Sequence, residues 1–251
     1  MPNRETLEEG DIFFLYRPIV DTERPHSLDQ VQHLYVVLRP RGRNAPLRLL
    51  VIGKKRLPTL ADSGRKSPDR NWGFVEQVAA TPAEIEEPLR AHSYETKTRG
   101  TRTQGAARPA GEGVYALRKT SAESHLLYVL ELPAEPGPVQ EALGIAPQAA
   151  LSISVKNPDP ASGNTGMLEE TDPHYDRKER SRFHGNRWTP AEPALLDHKG
   201  AEFLLVAVHD AAVADLQPHA PTDEAHADTF TKLRMARTRH PAEPLFTGEW
   251  A

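Results

Sequence analysis

Proline is the residue that most limits how this chain can fold. The sequence contains 23 prolines among 251 residues, roughly twice the ordinary share. Proline breaks helices and cannot donate a hydrogen bond within a sheet, so a chain with this many prolines needs short elements and many turns. The composition therefore favours short elements over long helices.

Short apolar runs bounded by turn residues predict β-strands along most of the chain. These runs cover residues 12–16, 33–38, 47–52, 72–78, 113–118, 125–132, 151–155 and 201–208. Two short helices are also predicted within this part of the chain, besides one near the C-terminus over 224–237. One begins at Thr81-Pro82 with Glu84 in its first turn, and the other spans 138–143 and ends before Gly144. We therefore predict an α+β fold, predominantly antiparallel β-sheet with a few short helices.

A basic, glycine-containing segment divides the sequence near its middle. We predict a connector loop there because the segment has no apolar periodicity. It separates two β-rich halves, of which the first has a short helix near 81–89 and the second a long polar excursion at 157–187. The predicted organisation is 1–96 for the first half, 97–112 for the basic loop, 113–209 for the second half, and 210–251 for an Ala/Pro/His-rich tail with a short helix.

Three segments of the first half resemble three segments of the second half, in the same order. Residues 10–17 match 111–118, 33–38 match 125–130, and 49–54 match 151–156. Either the chain contains an internal duplication, or the matches are coincidences of strand composition. A duplication would give two similar β-rich halves packed as one unit, with a crevice suited to a ligand between them.

Positive charge is concentrated in two stretches of a chain whose formal net charge is −4. Ten Lys and Arg residues lie within 39–70 against two aspartates, and four more lie within 97–108. Basic loops can hold phosphates while nearby aromatic residues such as Trp72 and Tyr94 stack on bases. The predicted polyanion-binding residues are Arg39, Arg41, Arg43, Lys54, Lys55, Arg56, Lys97, Arg99, Arg102 and Arg108. The alternative is that these cations are solvated surface charges paired locally with acids.

The internal matches also relate cationic and imidazole side chains of the two halves. The residues of this predicted inter-half pocket are Arg17, His33, Arg118, His125 and Lys156. Such a pocket would bind an anion, with histidine taking up or releasing a proton near neutral pH. It supports an alternative function, a hydrolase or transferase that acts on a phosphorylated small molecule. The plainer interpretation is that these residues end strands and face solvent.

Sequence motifs for catalysis or for cofactor binding are absent. The chain has no cysteine, no G-x-S-x-G, no P-loop and no dinucleotide-binding glycine pattern. Carboxylates beside His226 do not have the spacing of a known metal site. We therefore predict no cofactor, no metal and no catalytic residue, and the sequence favours a binding protein over an enzyme.

The expected partner is nucleic acid or another polyanion. Apolar runs are too short to cross a bilayer, and the first ten residues lack the apolar core of a secretory signal. We therefore expect a cytoplasmic protein without membrane association. The apolar tail residues Leu245, Phe246 and Trp250 support a second alternative, a homo-oligomer or a protein–protein scaffold that uses this tail.

Overall fold

The computed structural model describes residues 5–60, 69–98, 100–159, 173–216 and 227–251. The strands are β1 (Glu5–Pro18), β2 (Val31–Pro40), β3 (Leu47–Ile52), β4 (Arg70–Ala79), β5 (His92–Thr96), β6 (Gly100–Gln104), β7 (Arg108–Lys119), β8 (Ser124–Leu132), β9 (Gln148–Lys156), β10 (Trp188–Pro190) and β11 (Glu202–Val208). The helices are α1 (Pro82–Glu86), α2 (Pro138–Leu143), α3 (Arg177–Ser181), α4 (Pro193–Leu196), α5 (Asp228–Thr231) and α6 (Glu243–Thr247). The prediction of antiparallel sheet with a few short helices is confirmed.

Eight of the strands form a closed barrel. The order around it is β1, β2, β3, β4, β11, β9, β8 and β7, and β7 pairs with β1 to complete the ring. Strand β9 pairs with β11 on one side, and with both β8 and the short β10 on the other. Closure satisfies backbone groups that would otherwise lie unpaired at the edges of an open sheet.

The predicted packing of two β-rich halves is wrong. Strands β1–β3 contain the matched segments of the first half except residues 53 and 54, and β7–β9 contain those of the second. However, β1 hydrogen-bonds directly to β7, and both sets of strands enclose one apolar core. The strands join in one continuous ring, so the two parts of the chain do not face each other across a crevice.

The segment predicted as a connector loop over 97–112 is mostly strand. Strands β5 and β6 form a two-stranded hairpin outside the barrel, and β7 begins at Arg108. Seven of the ten residues of β5 and β6 are exposed, so neither face needs apolar side chains. For that reason the hairpin has no apolar alternation for sequence analysis to detect.

Strand β1 is buried on both faces. Ile12, Phe14 and Tyr16 point into the barrel core, whereas Phe13 and Leu15 belong to a second apolar cluster outside it. Side chains of successive residues in a strand point to opposite faces, so a continuous apolar run requires cover on both. The outer cover comes from α1, from the residues that follow it, and from the segment after α5.

An ion-pair network closes one end of the barrel, which we call the Arg48 end. Arg48, on β3, is only 1 % exposed and donates to both carboxylate oxygens of Glu8, at 2.6 and 2.9 Å. Its Nε donates to Asp197, after α4, at 2.6 Å. The hydroxyl of Tyr115 also donates to Glu8, at 2.6 Å. These contacts tie β1, β3, β7 and the α4 segment together.

The opposite end, which we call the Tyr16 end, is covered by α2 and by the last residues of the chain. Trp250 packs edge-on against Tyr16 with ring centroids 5.3 Å apart. Gln140 of α2 donates to the carbonyl oxygens of Ala110 and Pro244, at 2.7 and 2.9 Å. The apolar tail therefore packs on its own barrel.

Replacing Arg48 with methionine should destabilise the protein by about 3–5 kcal/mol, because the buried carboxylate of Glu8 loses its cation. Urea unfolding monitored by circular dichroism measures the change. The matched control is Arg43→Met, on the exposed connection that precedes β3, which should change stability by no more than about 0.5 kcal/mol. Equal effects of the two substitutions would contradict the structural role of the network.

Candidate nucleic-acid interface

The β5–β6 hairpin, residues 92–104, projects from the Tyr16 end, and we call it the ribbon. The side chain of Gln104 anchors its base by donating to the carbonyl oxygen of Pro18, the last residue of β1, at 2.7 Å. Asp21 adds two bonds along β6: its backbone N–H donates to Thr103 and its carboxylate accepts from the Thr103 N–H, both at 2.9 Å. The ribbon is therefore fixed at its base and open to solvent along its length.

One face of the ribbon combines an aromatic ring, an imidazole and a guanidinium. Tyr94 and Arg102 are direct cross-strand partners, and His92 lies two residues before Tyr94 on the same face. Tyr94 is 42 % exposed, and its ring centroid lies 6.1 Å from that of His92. Arg102 forms an ion pair with Asp21 at 2.6 Å. This face offers a planar surface beside donors suited to an anion.

The ribbon's turn carries further positive charge. Lys97 is exposed at the turn. Arg99, which the sequence predicts as a polyanion contact, lies outside the described residues.

The turn after β3 brings a second group of predicted cations to the same end of the barrel. Ile52, at the end of β3, is paired with Leu34 of β2, which is itself paired with Tyr16. Lys54 and Lys55 follow directly. The Lys54 side chain is 57 % exposed, and its ammonium donates to the carbonyl oxygen of Arg70 at 2.8 Å. Lysines distant in sequence from the ribbon thus share its end.

A partly buried imidazole at this end lies within the field of these cations. The His33 ring lies 5.7 Å from the Tyr35 ring, and the Arg17 guanidinium lies 5.7 Å from the centre of that same ring. Burial lowers the pKa of His33, and the charges of Arg17 and Lys55 lower it further. The positive charges of Arg17 and Lys55 therefore act on the His33 ring, and positive charge is what an anion-binding surface requires.

The remaining predicted polyanion contacts do not join this surface. Arg39, Arg41 and Arg43 lie at or after the end of β2, toward the Arg48 end, and Arg39 pairs with Asp11 at 2.8 Å. A strand of six residues, β3, separates them from Lys54.

Two more predicted contacts are held by the protein itself. Arg56 is half-buried and donates to Thr59 at 3.3 Å. Arg108 is only 5 % exposed, so it cannot meet a polymer at the surface.

The five residues of the predicted inter-half pocket are not brought together. Because β1 and β7 are antiparallel, Arg118 faces Thr6, whereas Arg17 lies eleven residues further along β1. That separation is about 35 Å along the strand. Arg17 pairs with His33 at the Tyr16 end, and Arg118 pairs with His125 at the other end. The antiparallel register therefore places the Arg17–His33 pair and the Arg118–His125 pair at opposite ends of the barrel.

The three pocket residues outside the Tyr16 end take part in local ion pairs. Arg118 bonds to Asp215 at 3.2 Å, and Lys156 bonds to Glu202 at 2.7 Å. His125 lies between two carboxylates, 2.6 Å from Asp210 and 3.0 Å from Glu123. The contacts to Asp210 and Asp215 attach the segment after β11 to the barrel wall, and the contact between Lys156 and Glu202 joins β9 to β11. These are structural roles.

Sequence analysis missed a buried ionic cluster at the base of the ribbon. Glu86, at the end of α1, accepts from Arg90 at 2.6 Å and lies 3.6 Å from the Nε2 of His240. His240 is fully buried, and its Nδ1 donates to the carbonyl oxygen of Ala107 at 2.7 Å. Arg17 donates to the carbonyl oxygen of Pro88 nearby, at 2.6 Å. No local pattern links these residues, which lie in four separate segments.

Comparisons with known proteins identify no relative from which a function could be inferred. No family model matches the chain, and no significant match was found among curated proteins or solved structures. Across the described ranges, no helix is long and apolar enough to span a bilayer. Those same ranges contain no group of three or more acidic or histidine side chains placed to hold a metal ion, and His226, Asp223 and Glu224 fall outside them.

The unfolding free energy should decrease as the pH is lowered from about 7 to about 5. Burial lowers the pKa of His240 below its ordinary value of 6.5, so the unfolded chain takes up a proton that the folded protein resists. The stability contributed by neutral His240 is present above pH 6.5 and is lost below it. Substituting His240→Gln should reduce this dependence, measured by urea unfolding at both pH values, and leave the part contributed by His33, whose pKa is also lowered by burial. The exposed control His26→Gln should retain the wild-type difference, and a His240→Gln variant that retained it too would contradict the assignment.

Proposed function

We propose that this protein binds nucleic acid at the Tyr16 end of its barrel, with single strands as the preferred form. The observation that carries the proposal is the convergence there of the exposed ribbon and the turn after β3. Lys97 and Lys54, which are exposed and far apart in sequence, provide phosphate contacts on one end of the molecule. Phosphate neutralisation by such residues supplies most of the affinity of non-specific binding.

The preference for single strands rests on Tyr94. Its ring is exposed on the ribbon face and is held beside His92. An unstacked base can lie on such a ring, whereas the bases of a duplex are already stacked on each other. The cross-strand neighbour Arg102 is placed to contact the adjacent phosphate. The ring would stack on bases and the cations would contact phosphates, and neither interaction requires recognition of particular bases.

The charge-reversal variant Lys54→Glu with Lys97→Glu should weaken binding of a fluorescein-labelled single-stranded oligonucleotide at least tenfold. Fluorescence anisotropy at several salt concentrations measures the affinity. Log K decreases with log[salt], and the magnitude of this negative slope should become smaller by about 0.7 for each phosphate that the variant no longer neutralises. Both lysines are exposed, so the melting temperature should remain nearly constant.

The control for this experiment is Arg43→Glu, which reverses an exposed charge toward the Arg48 end. It should leave the affinity within about twofold of wild type. Equal decreases in affinity from both variants would mean that binding responds only to net charge. Absence of binding by the wild type at low salt would overturn the proposal.

Substituting Tyr94→Ala should weaken single-strand binding by about 1–3 kcal/mol, the usual value of one base–aromatic stack. Tyr94→Phe retains the ring and should retain most of the affinity. Competition between single-stranded and duplex oligonucleotides in the same anisotropy assay shows which form is preferred. If alanine had no effect, or if duplex were bound more tightly, the stacking role of Tyr94 would be refuted.

A further inference from the structure

Arg108 is a buried cation whose hydrogen-bonding capacity is largely unused. It is the first residue of β7, and its side chain lies at the Tyr16 end with 5 % of its surface exposed. Its Nη2 donates to the carbonyl oxygen of Glu23. Within the described part of the chain, its Nε and Nη1 have no hydrogen-bond partner. These two nitrogens carry three of the five guanidinium N–H donors.

Unpaired donors on a buried charge are costly. Leaving a buried polar group without a partner costs about 1–3 kcal/mol, and more for a charged group. Burial lowers the pKa of Arg108, whereas nearby Tyr16 and Glu243 act in the opposite direction. An arginine nevertheless stays protonated in proteins. The Arg48 end shows the contrast, since two carboxylates satisfy that buried arginine there.

The surroundings of Arg108 have the composition of a small binding site. Tyr16 and Trp250 form an aromatic wall, with Trp250 only half-buried. Burial raises the pKa of Tyr16 to about 12, while the charge of Arg108 lowers it, and the Tyr16 hydroxyl donates to the carbonyl oxygen of Ala251 at 3.5 Å. Mouths of barrels, where apolar walls meet a few polar groups, are common sites for small ligands.

We infer that Arg108 binds the carboxylate or phosphate group of a small anionic ligand at the Tyr16 end of the barrel. The ligand's anionic oxygens accept from Nε and Nη1, and its apolar part lies against Trp250. Glu243, an exposed carboxylate nearby, disfavours ligands with additional negative charge. This site is separate from the nucleic-acid surface, because Lys54, Lys97 and Tyr94 play no part in it.

The test is titration of ¹⁵N-labelled protein with inorganic phosphate and, separately, with acetate at constant ionic strength. The arginine Nε–H resonance that disappears in Arg108→Lys identifies Arg108 in the wild-type spectrum. We expect this resonance to shift saturably with one of the two anions, and the melting temperature to rise in parallel as binding stabilises the folded state. Phosphate and acetate distinguish a phosphorylated ligand from a carboxylate.

Arg108→Lys keeps the charge but removes the guanidinium donors, so it should weaken anion binding at least tenfold. Arg43→Lys, on the exposed connection toward the Arg48 end, should bind the anion as wild type does. If Arg108→Lys does not fold, Tyr16→Phe serves to identify the site, since it should alter the saturating shift. A shift that is linear in concentration, or equal to that caused by chloride, would overturn the inference. Oligonucleotide binding should be unaffected by Arg108→Lys.

Discussion

Closure of the hydrogen-bonded ring is the constraint on which the rest of the structure depends. Because β7 pairs with β1 and β9 with β8, every barrel strand has two neighbours. A closed ring allows the chain to leave the sheet only at its two ends, and the connections, helices and loops among the described residues therefore gather there or fold back over the wall. Side chains that point inward must fill the barrel, which explains the large apolar core.

The two ends are built in different ways. At the Arg48 end, opposite charges from β1, β3 and the α4 segment satisfy one another inside the barrel. At the Tyr16 end, packing of Trp250 and α2 fills the core, while cations lie around the rim and Arg108 keeps unpaired donors. A satisfied network adds rigidity and has little capacity left for a ligand. Unpaired donors and exposed lysines retain that capacity, so both proposals concern the Tyr16 end.

Residues that are close in sequence lie far apart in space when an extended strand separates them. The predicted basic stretch that begins at Arg39 is divided by β3, which is about 20 Å long, so Arg43 and Lys54 lie toward opposite ends. The ribbon, in contrast, returns to the end at which Lys54 lies, because Gln104 anchors it to the last residue of β1. Arg17 and Arg118 are separated as well, because antiparallel pairing of β1 and β7 places Arg118 opposite Thr6 at the other end of β1. A linear count of charges could anticipate neither outcome.

The sequence by itself determined the local elements. Apolar runs and prolines located the barrel strands, and the Pro138 to Gly144 pattern located α2, because those signals depend on residues a few positions apart. The exposed ribbon gave no such signal, since solvent on both faces imposes no alternation. Only the tertiary structure decided that the strands close into one barrel, and that His240 meets Glu86 beneath the ribbon. Register, closure and the meeting of distant side chains depend on pairing between strands, which no short window of residues encodes.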